Sequence, residues 1–325
     1  MKFWRITTSI ISTLILGAGA SELGAQVAYP TKPITVVLPF TAGGGGDIIL
    51  RQITPVLANR LKTPVLVDNR VGAGGQIGVM YVVNATPDGH TLLFMSSGIA
   101  IDSALKLKPA YDPLKDLRPL TLAYTGDQAI FINPKLPVNS VKELIAYATA
   151  NPGRLNYSHP GIGSTGHLNM ELFKQMAKVD IVGVPFKGSP EALTSIIAGD
   201  TQVTLIQPPA SRALWETGRI KFLALASAER SAILPDIPTV AESGLPGFAA
   251  AFWYGFFTPA GMPDSLFDKI ESEITAILTS ADMRQKIASY GHVSGGIRNA
   301  DFRRQLVAEI KQWQEVVRVA GIPRQ

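Results

Sequence analysis

One unit recurs along this chain: an apolar run with strand character, a loop dense in glycine or proline, then a stretch with helical spacing. Ile34-Thr-Val-Val-Leu38 is a continuous apolar run suited to a strand buried on both faces. A run of four glycines follows, and residues 48–61 then predict a helix with Asp47 as its N-cap. Strand 65–68, helix 75–84, a turn at Pro87-Asp88-Gly89, and strands 90–94 and 129–132 come next. Residues 141–150 predict a helix capped by Ser140, with Glu143 completing a capping box.

The cycle then repeats as strand 155–158, glycine loop 159–166, helix 167–176, strand 181–185, loop 187–190, helix 191–198, and strands 203–206 and 222–226. Residues 265–278 and 301–319 place apolar side chains at near-ideal helical spacing. Strands linked through helices pair in parallel, because the helix is the crossover. The expected class is therefore α/β, with mainly parallel sheets flanked by helices. Two rounds of the cycle predict two similar lobes. Ligands of open α/β sheets sit beyond the carboxyl ends of the strands, so both glycine loops should face one interlobe cleft.

The first of these loops, Pro39-Phe-Thr-Ala-Gly-Gly-Gly-Gly-Asp47, lets backbone approach a ligand closely and aims free amides at an anion. It is not a nucleotide loop. A Walker loop continues with Gly-Lys-Ser/Thr where this chain has Asp47-Ile48, and the third small residue of a dinucleotide fingerprint is Ile49. Asp47 would repel a phosphate; it suits a helix cap, or an acceptor for a ligand hydroxyl, amine or ordered water. In the second loop Ser158, Ser164 and Thr165 bring hydroxyls to a helix start, a carboxylate pocket without formal positive charge.

Ser164 also raises a hydrolase reading, but a nucleophile elbow needs glycine two residues before the serine, where this chain has Ile162. The glycine turn at 72–75 serves either close strand–helix packing or ligand contact. Lys187 either pairs with a bound acid or is solvated. Gln207, after strand 203–206, either hydrogen-bonds a ligand or caps the next helix. Phe186 and Trp253 suit an aromatic ligand or a core equally.

Composition removes several other chemistries. The 325 residues contain no cysteine, which excludes disulfides, thiolate metal sites and cysteine nucleophiles. The four histidines show no metal-ligand spacing, and no cofactor is expected. The net charge of +5 is scattered, with no basic run interleaved with aromatics, so nucleic acid is not an expected partner. Met1 to Arg5 is basic, residues 6–20 are uncharged and apolar, and Ala18-Gly-Ala20 offers a cleavage site, with a second ending at Ala25. Residues 1–25 thus read as a signal peptide too short to span a bilayer, and without a lipobox. A free periplasmic protein is expected.

A set of motifs falls in the order of a known family. It comprises Tyr29-Pro-Thr-Lys-Pro-Ile-Thr-Val-Val-Leu-Pro-Phe40, the glycine run to Asp47, Asp68-Asn-Arg-Val-Gly-Ala-Gly-Gly75 and Ala85-Thr-Pro-Asp-Gly-His-Thr-Leu-Leu93. Gly163-Ser to His167-Leu, Glu171-Leu-Phe, Val184-Pro-Phe-Lys-Gly188 and the segment from Leu234-Pro-Asp-Ile-Pro to Phe248 continue it. The chain resembles, over nearly its whole mature length, the Bug family of periplasmic solute receptors of tripartite tricarboxylate transporters.

That resemblance implies a two-lobed type II periplasmic binding protein closing on a small organic acid, with residues 26–126 plus 251–325 as one lobe and 127–250 as the other. It implies the large and small membrane subunits of the transporter as partners, and a monomeric receptor. It also implies a carboxylate held by the first glycine loop, partly through ordered water, and by the hydroxyl-rich loop opposite. The candidate ligand residues are Phe40, Thr41, Ala42, Gly43, Gly44, Asp47 and Ser96 in one lobe, and Ser158, Gly163, Ser164, Thr165, Lys187 and Gln207 in the other.

Two departures from the family pattern bear on the ligand. Many relatives carry aspartate where this chain has Gln207, which disfavours an amino-acid ligand. The run Gly43 to Gly46 replaces hydroxyl-bearing residues, leaving the ligand more dependent on backbone amides. A subunit signalling to a two-component sensor kinase is the alternative function.

Overall fold

In the computed structural model the apolar run Ile34–Leu38 forms β1, with Ile34, Val36, Val37 and Leu38 fully buried. The structure describes residues 29–162, 164–231, 234–319 and 324. The expected signal peptide at residues 1–25, and Gly163, lie outside them. From β1 the chain runs through α1 (Gly45–Leu61), β2 (Val65–Asn69), a short turn of helix at Ala73–Gly75, α2 (Gln76–Val83), β3 (Thr91–Ser96), α3 (Gly98–Leu105) and the long β4 (Leu117–Asp127).

Gln128 alone separates β4 from β5 (Ala129–Ile132), which opens a second unit. There α4 (Val141–Ala150), β6 (Leu155–His159), α5 (Thr165–Ala177), β7 (Ile181–Pro185), α6 (Ser189–Ala198), β8 (Val203–Ile206), α7 (Arg212–Glu216) and β9 (Lys221–Leu225) follow. The chain then returns through β10 (Ala251–Pro259), α8 (Asp264–Thr279), α9 (Ala281–Ser289), β11 (His292–Arg298) and α10 (Asn299–Val319).

Among the described residues two sheets form, in the orders β11-β4-β10-β3-β1-β2 and β7-β6-β8-β5-β9. The helix-linked strands of each unit pair in parallel, β2-β1-β3 and β7-β6-β8. In both sheets the next place is taken by the strand that has just arrived from the other sheet, β10 in one and β5 in the other. Each runs antiparallel to both its neighbours. The α/β expectation therefore holds, with mixed sheets: β5, β10 and the edge strand β11 run against the rest. A crossing strand enters without a helical crossover, so the alternation of elements carries no sign of its direction.

Helices cover both faces of each sheet. On the larger sheet, Ile49 and Leu57 of α1 and Ile270 and Ile274 of α8 pack on Phe94 and Phe256. Val79, Ile99, Phe302 and Leu306 from α2, α3 and α10 fill the other face. In the smaller sheet Leu144, Met170 and Phe173 lie on one face, and Leu193 and Ile196 on the other.

Ser140 caps α4 as expected, its Oγ accepting from the Glu143 amide (3.1 Å), while Glu143 reaches back one residue beyond the cap and accepts from the Asn139 amide (2.7 Å). α1 departs from expectation. It begins at Gly45 with Gly44 as N-cap, so Asp47 lies inside the first turn rather than at the cap.

Candidate functional site

β1, β3, β6 and β8 all end at one crevice between the two sheets, where an α/β fold places its ligand. At its centre is a chamber with about 30 Å³ open to water, room for a water or two or for a carboxylate head. Thr41 and the start of α1 line it from the first unit; Ser164, Thr165 and Gln207 line it from the second. The N-termini of α1 and α5 thus reach it from opposite sides, and first-turn amides have no acceptor within their own helix. Among the described residues, no lysine, arginine or histidine lines it.

Asp47 is the only formal charge on the chamber wall among the described residues, and it is already engaged. Its Oδ2 accepts from the Gly43 amide (3.0 Å) and Arg51 Nε (2.9 Å), and its Oδ1 from Asn69 Nδ2 (3.1 Å). Burial pushes its pKa up, but these donors and the Arg51 charge outweigh it and hold the carboxyl below the usual range. The same Asn69 amide donates to the Phe40 carbonyl (3.0 Å). Asp47 therefore fixes the shape of the glycine loop, and its charge is balanced before any ligand arrives.

The chamber is close because glycines let side chains cross it. A Cβ on Gly45 would overlap the Gln207 carboxamide, and one on Gly46 would stand 2.6 Å from the Tyr254 ring. Tyr254, on β10 opposite Ser96, has its hydroxyl against Gln207 and Ser96; burial raises its pKa to about 12. Gln207 Oε1 and Thr41 Oγ1 are buried without a hydrogen-bond partner among the described residues. Turning the Gln207 amide about its last bond would offer Nε2 to the chamber while Tyr254 donates to Oε1.

On the far wall, Gln128 Nε2 donates to Thr165 Oγ1 (3.1 Å), and Asn169 Nδ2 donates to Gln128 Oε1 (2.7 Å). Thr165 already accepts, so its own hydroxyl hydrogen is free for the chamber. Ser164 Oγ caps α5 by accepting from the His167 amide (3.3 Å). Burial, with the neighbouring His167, holds His159 at a pKa of about 4, so it adds no positive charge beside the site.

The expected residues thus separate. Phe40, Thr41, Gly44, Asp47, Ser96, Ser164, Thr165 and Gln207 meet at the chamber. Ala42 and Gly43 are exposed on the loop outside it. Ser158 is fully buried and donates to the Ala192 carbonyl (3.0 Å), a tie between β6 and α6. Lys187 lines a larger groove beside the chamber. Trp253 is core, 3% exposed, donating to Glu309 (2.5 Å). Sequence reasoning missed Gln128, Tyr254, Gly45 and Gly46. The two glycines stand in the run it singled out; Tyr254 sits on β10, which it did not place, and Gln128 is the single residue between the unplaced β4 and the predicted β5.

A model of the family described as "Tripartite tricarboxylate transporter family receptor" matches residues 49–322. Three solved structures are similar over nearly the whole chain. The R. palustris protein Rpa4515 with adipate is 36% identical, with a TM-score of 0.87 over 91% of this chain and 99% of that one. The periplasmic binding protein BugD is 28% identical, with a TM-score of 0.86 over 91% of this chain and all of the other (100%). MatC from Rhodopseudomonas palustris with bound malate is 31% identical, with a TM-score of 0.85 over 89% and 100%.

Proposed function

The chain belongs to the tripartite tricarboxylate transporter receptor family, and from that premise we propose that its inner chamber grips one carboxylate of a small organic acid as the lobes close. It is a solute-binding receptor and not an enzyme, as family membership and the similarity to periplasmic binding proteins require. One observation carries the site assignment. Two helix N-termini from opposite lobes converge on a chamber where, among the described residues, there is no cation and Gln207 Oε1 and Thr41 Oγ1 are left without partners. A carboxylate there would accept from amides and hydroxyls on both lobes at once, which joins capture to closure. The similar proteins found with adipate and malate support an acid ligand.

In this reading residues 26–126 and 251–325 make one lobe and 127–250 the other, supported by the passage of the chain between sheets at Gln128 and before β10. The chain is exported to the periplasm behind a signal peptide at residues 1–25. Its closed form, a monomer, is presented to the membrane subunits of the transporter. The ligand-binding residues are Phe40, Thr41, Gly44, Asp47, Ser96, Ser164, Thr165 and Gln207, with Gln128 and Tyr254 added; the backbone of Ala42 and Gly43 shapes the first loop.

Thermal unfolding across mono-, di- and tricarboxylic and aromatic acids tests the reading: at least one acid should raise the melting temperature. Gln207→Ala should weaken that acid's binding by about tenfold or more, since a hydrogen bond to a charged group contributes about 1.5–3 kcal/mol. If no acid stabilises the protein, the reading is wrong.

A further inference from the structure

Asp127, the last residue of β4, carries a carboxylate that the chamber does not use. It is half-buried, and among the described residues its side chain makes no hydrogen bond or ion pair. Burial alone pushes its pKa up to about 6, so at neutral pH it is a charge without a partner.

Asp127 lines a pocket with about 90 Å³ open to water, the space of about three water molecules. Tyr290, just before β11, closes it from the first unit; Trp215, Leu225 and Leu234 close it from the second. No residue lines both this pocket and the chamber, yet the two are neighbours along the chain. Asp127 precedes Gln128 and Pro208 follows Gln207, and both glutamines line the chamber. Consecutive residues of an extended chain face opposite sides, so the pocket backs onto the chamber.

Among the described residues Arg212 is the only cation on the pocket wall, and it is already paired. Its Nε meets Glu216 (2.9 Å), and its Nη1 donates to the Ser289 carbonyl (3.3 Å). His292, at the start of β11, is held neutral by burial, with a pKa of about 4. Neither group balances Asp127. An unpaired carboxylate beside two aromatic rings and two leucines is complementary to a small organic cation. The ammonium meets the carboxylate, and its short chain meets the rings.

We propose that this pocket is a second binding site of the protein, taking a small primary ammonium and separate from the carboxylate chamber. The guest touches both units beside the point where the chain first crosses between the sheets. The space sets its size at about four non-hydrogen atoms. Binding needs Asp127 ionised, so it is full well above pH 6 and falls as the carboxyl protonates below it. An alkylammonium stays charged throughout that range.

Calorimetric titration with propylammonium against propan-1-ol, which has the same shape and no charge, tests the site. At pH 7 the wild type should bind the ammonium at least about tenfold more tightly than the alcohol. At pH 5 the ammonium should bind about tenfold more weakly than at pH 7, with the alcohol unchanged. Asp127→Asn should erase both differences and melt no lower than the wild type, since it removes an unpaired, partly buried charge. Equal binding of ammonium and alcohol by the wild type overturns the proposal, as does ammonium binding that is the same at both pH values. A preference for the ammonium that survives in Asp127→Asn overturns it too. Should the variant fail to fold, the two wild-type comparisons decide alone. The acid-binding reading stands or falls separately, because none of these residues lines its chamber.

Discussion

Gly188, at the N-cap of α6, lies against Thr41 of the opposite lobe so closely that a Cβ there would overlap the threonine side chain, Oγ1 and Cβ alike. Hydrogen would be the only substituent that fits in this closed arrangement. Gly188→Ala should leave the separate lobes folded, because the overlap lies between them rather than within one. It should weaken binding of any acid that stabilises the wild type by about tenfold or more, with an unchanged melting temperature in the absence of ligand. Titration calorimetry and thermal unfolding together separate this from simple misfolding; equal affinity in the variant would show that the contact is not needed for closure. Gly46 differs, because its obstacle is the Tyr254 ring, stacked at 5.1 Å on Phe94 and 5.3 Å on Tyr124 within its own lobe.

Among the elements, β11 carries a buried histidine that ties stability to pH. His292, at its start, is 2% exposed and stacks at 5.1 Å on Tyr124 of β4; burial lowers its pKa to about 4. The unfolded chain takes up a proton below about pH 6.5, whereas the folded imidazole resists it until about pH 4. The stabilisation this gives is complete above 6.5 and is lost as pH falls toward 4. Denaturant unfolding at pH 7 and pH 5 should show the wild type losing about 2 kcal/mol more than His292→Phe, a difference of one buried imidazole. Identical losses would show that the group does not drive the acid sensitivity. α10 is held differently, mainly by apolar contact: Phe302 is fully buried against Trp253 and Phe257, and Phe302→Ala should cost about 3–5 kcal/mol in the same unfolding measurement.

For the molecule as a whole, the two crossings between sheets run side by side. The Ala226 amide donates to the Gln128 carbonyl (2.7 Å), and the Ala250 amide donates to the Ala226 carbonyl (2.6 Å). Both strands leaving this point are central strands of their sheets, so rotation of one lobe against the other concentrates here while each sheet stays intact. Gln128 also donates to Thr165 at the inner chamber, which in the proposed reading puts a relay of the ligand site at the pivot itself. Small-angle scattering should therefore show a smaller radius of gyration once a stabilising acid saturates the protein, at the mass of a single chain. An unchanged radius would mean that the acid binds without moving the lobes.

The alternation of apolar runs, glycine loops and helical stretches settled the α/β class, the two-fold recurrence and the loops that face the cleft, because each is a consequence of local spacing. Ile34–Leu38, the Ser140 cap and the hydroxyls of Ser164 and Thr165 were all legible in this way. Of the two strands that enter a sheet from the other unit, β5 was legible as an apolar run but β10 was not, and with β4 and β11 also unplaced, the meeting of Gln128 and Tyr254 at one chamber was invisible until the chain was folded. Burial was equally beyond reach: Ser158 and Thr165 read alike in sequence, yet one ties a strand to a helix and the other faces the chamber. Asp47 looked like a cap, and became the brace of the glycine loop only when β2 brought Asn69 beside it. The sequence by itself determined the kinds of element and the loops rich in free amides. Only the tertiary structure decided which side chains meet across the cleft, because those contacts join residues that no local pattern connects.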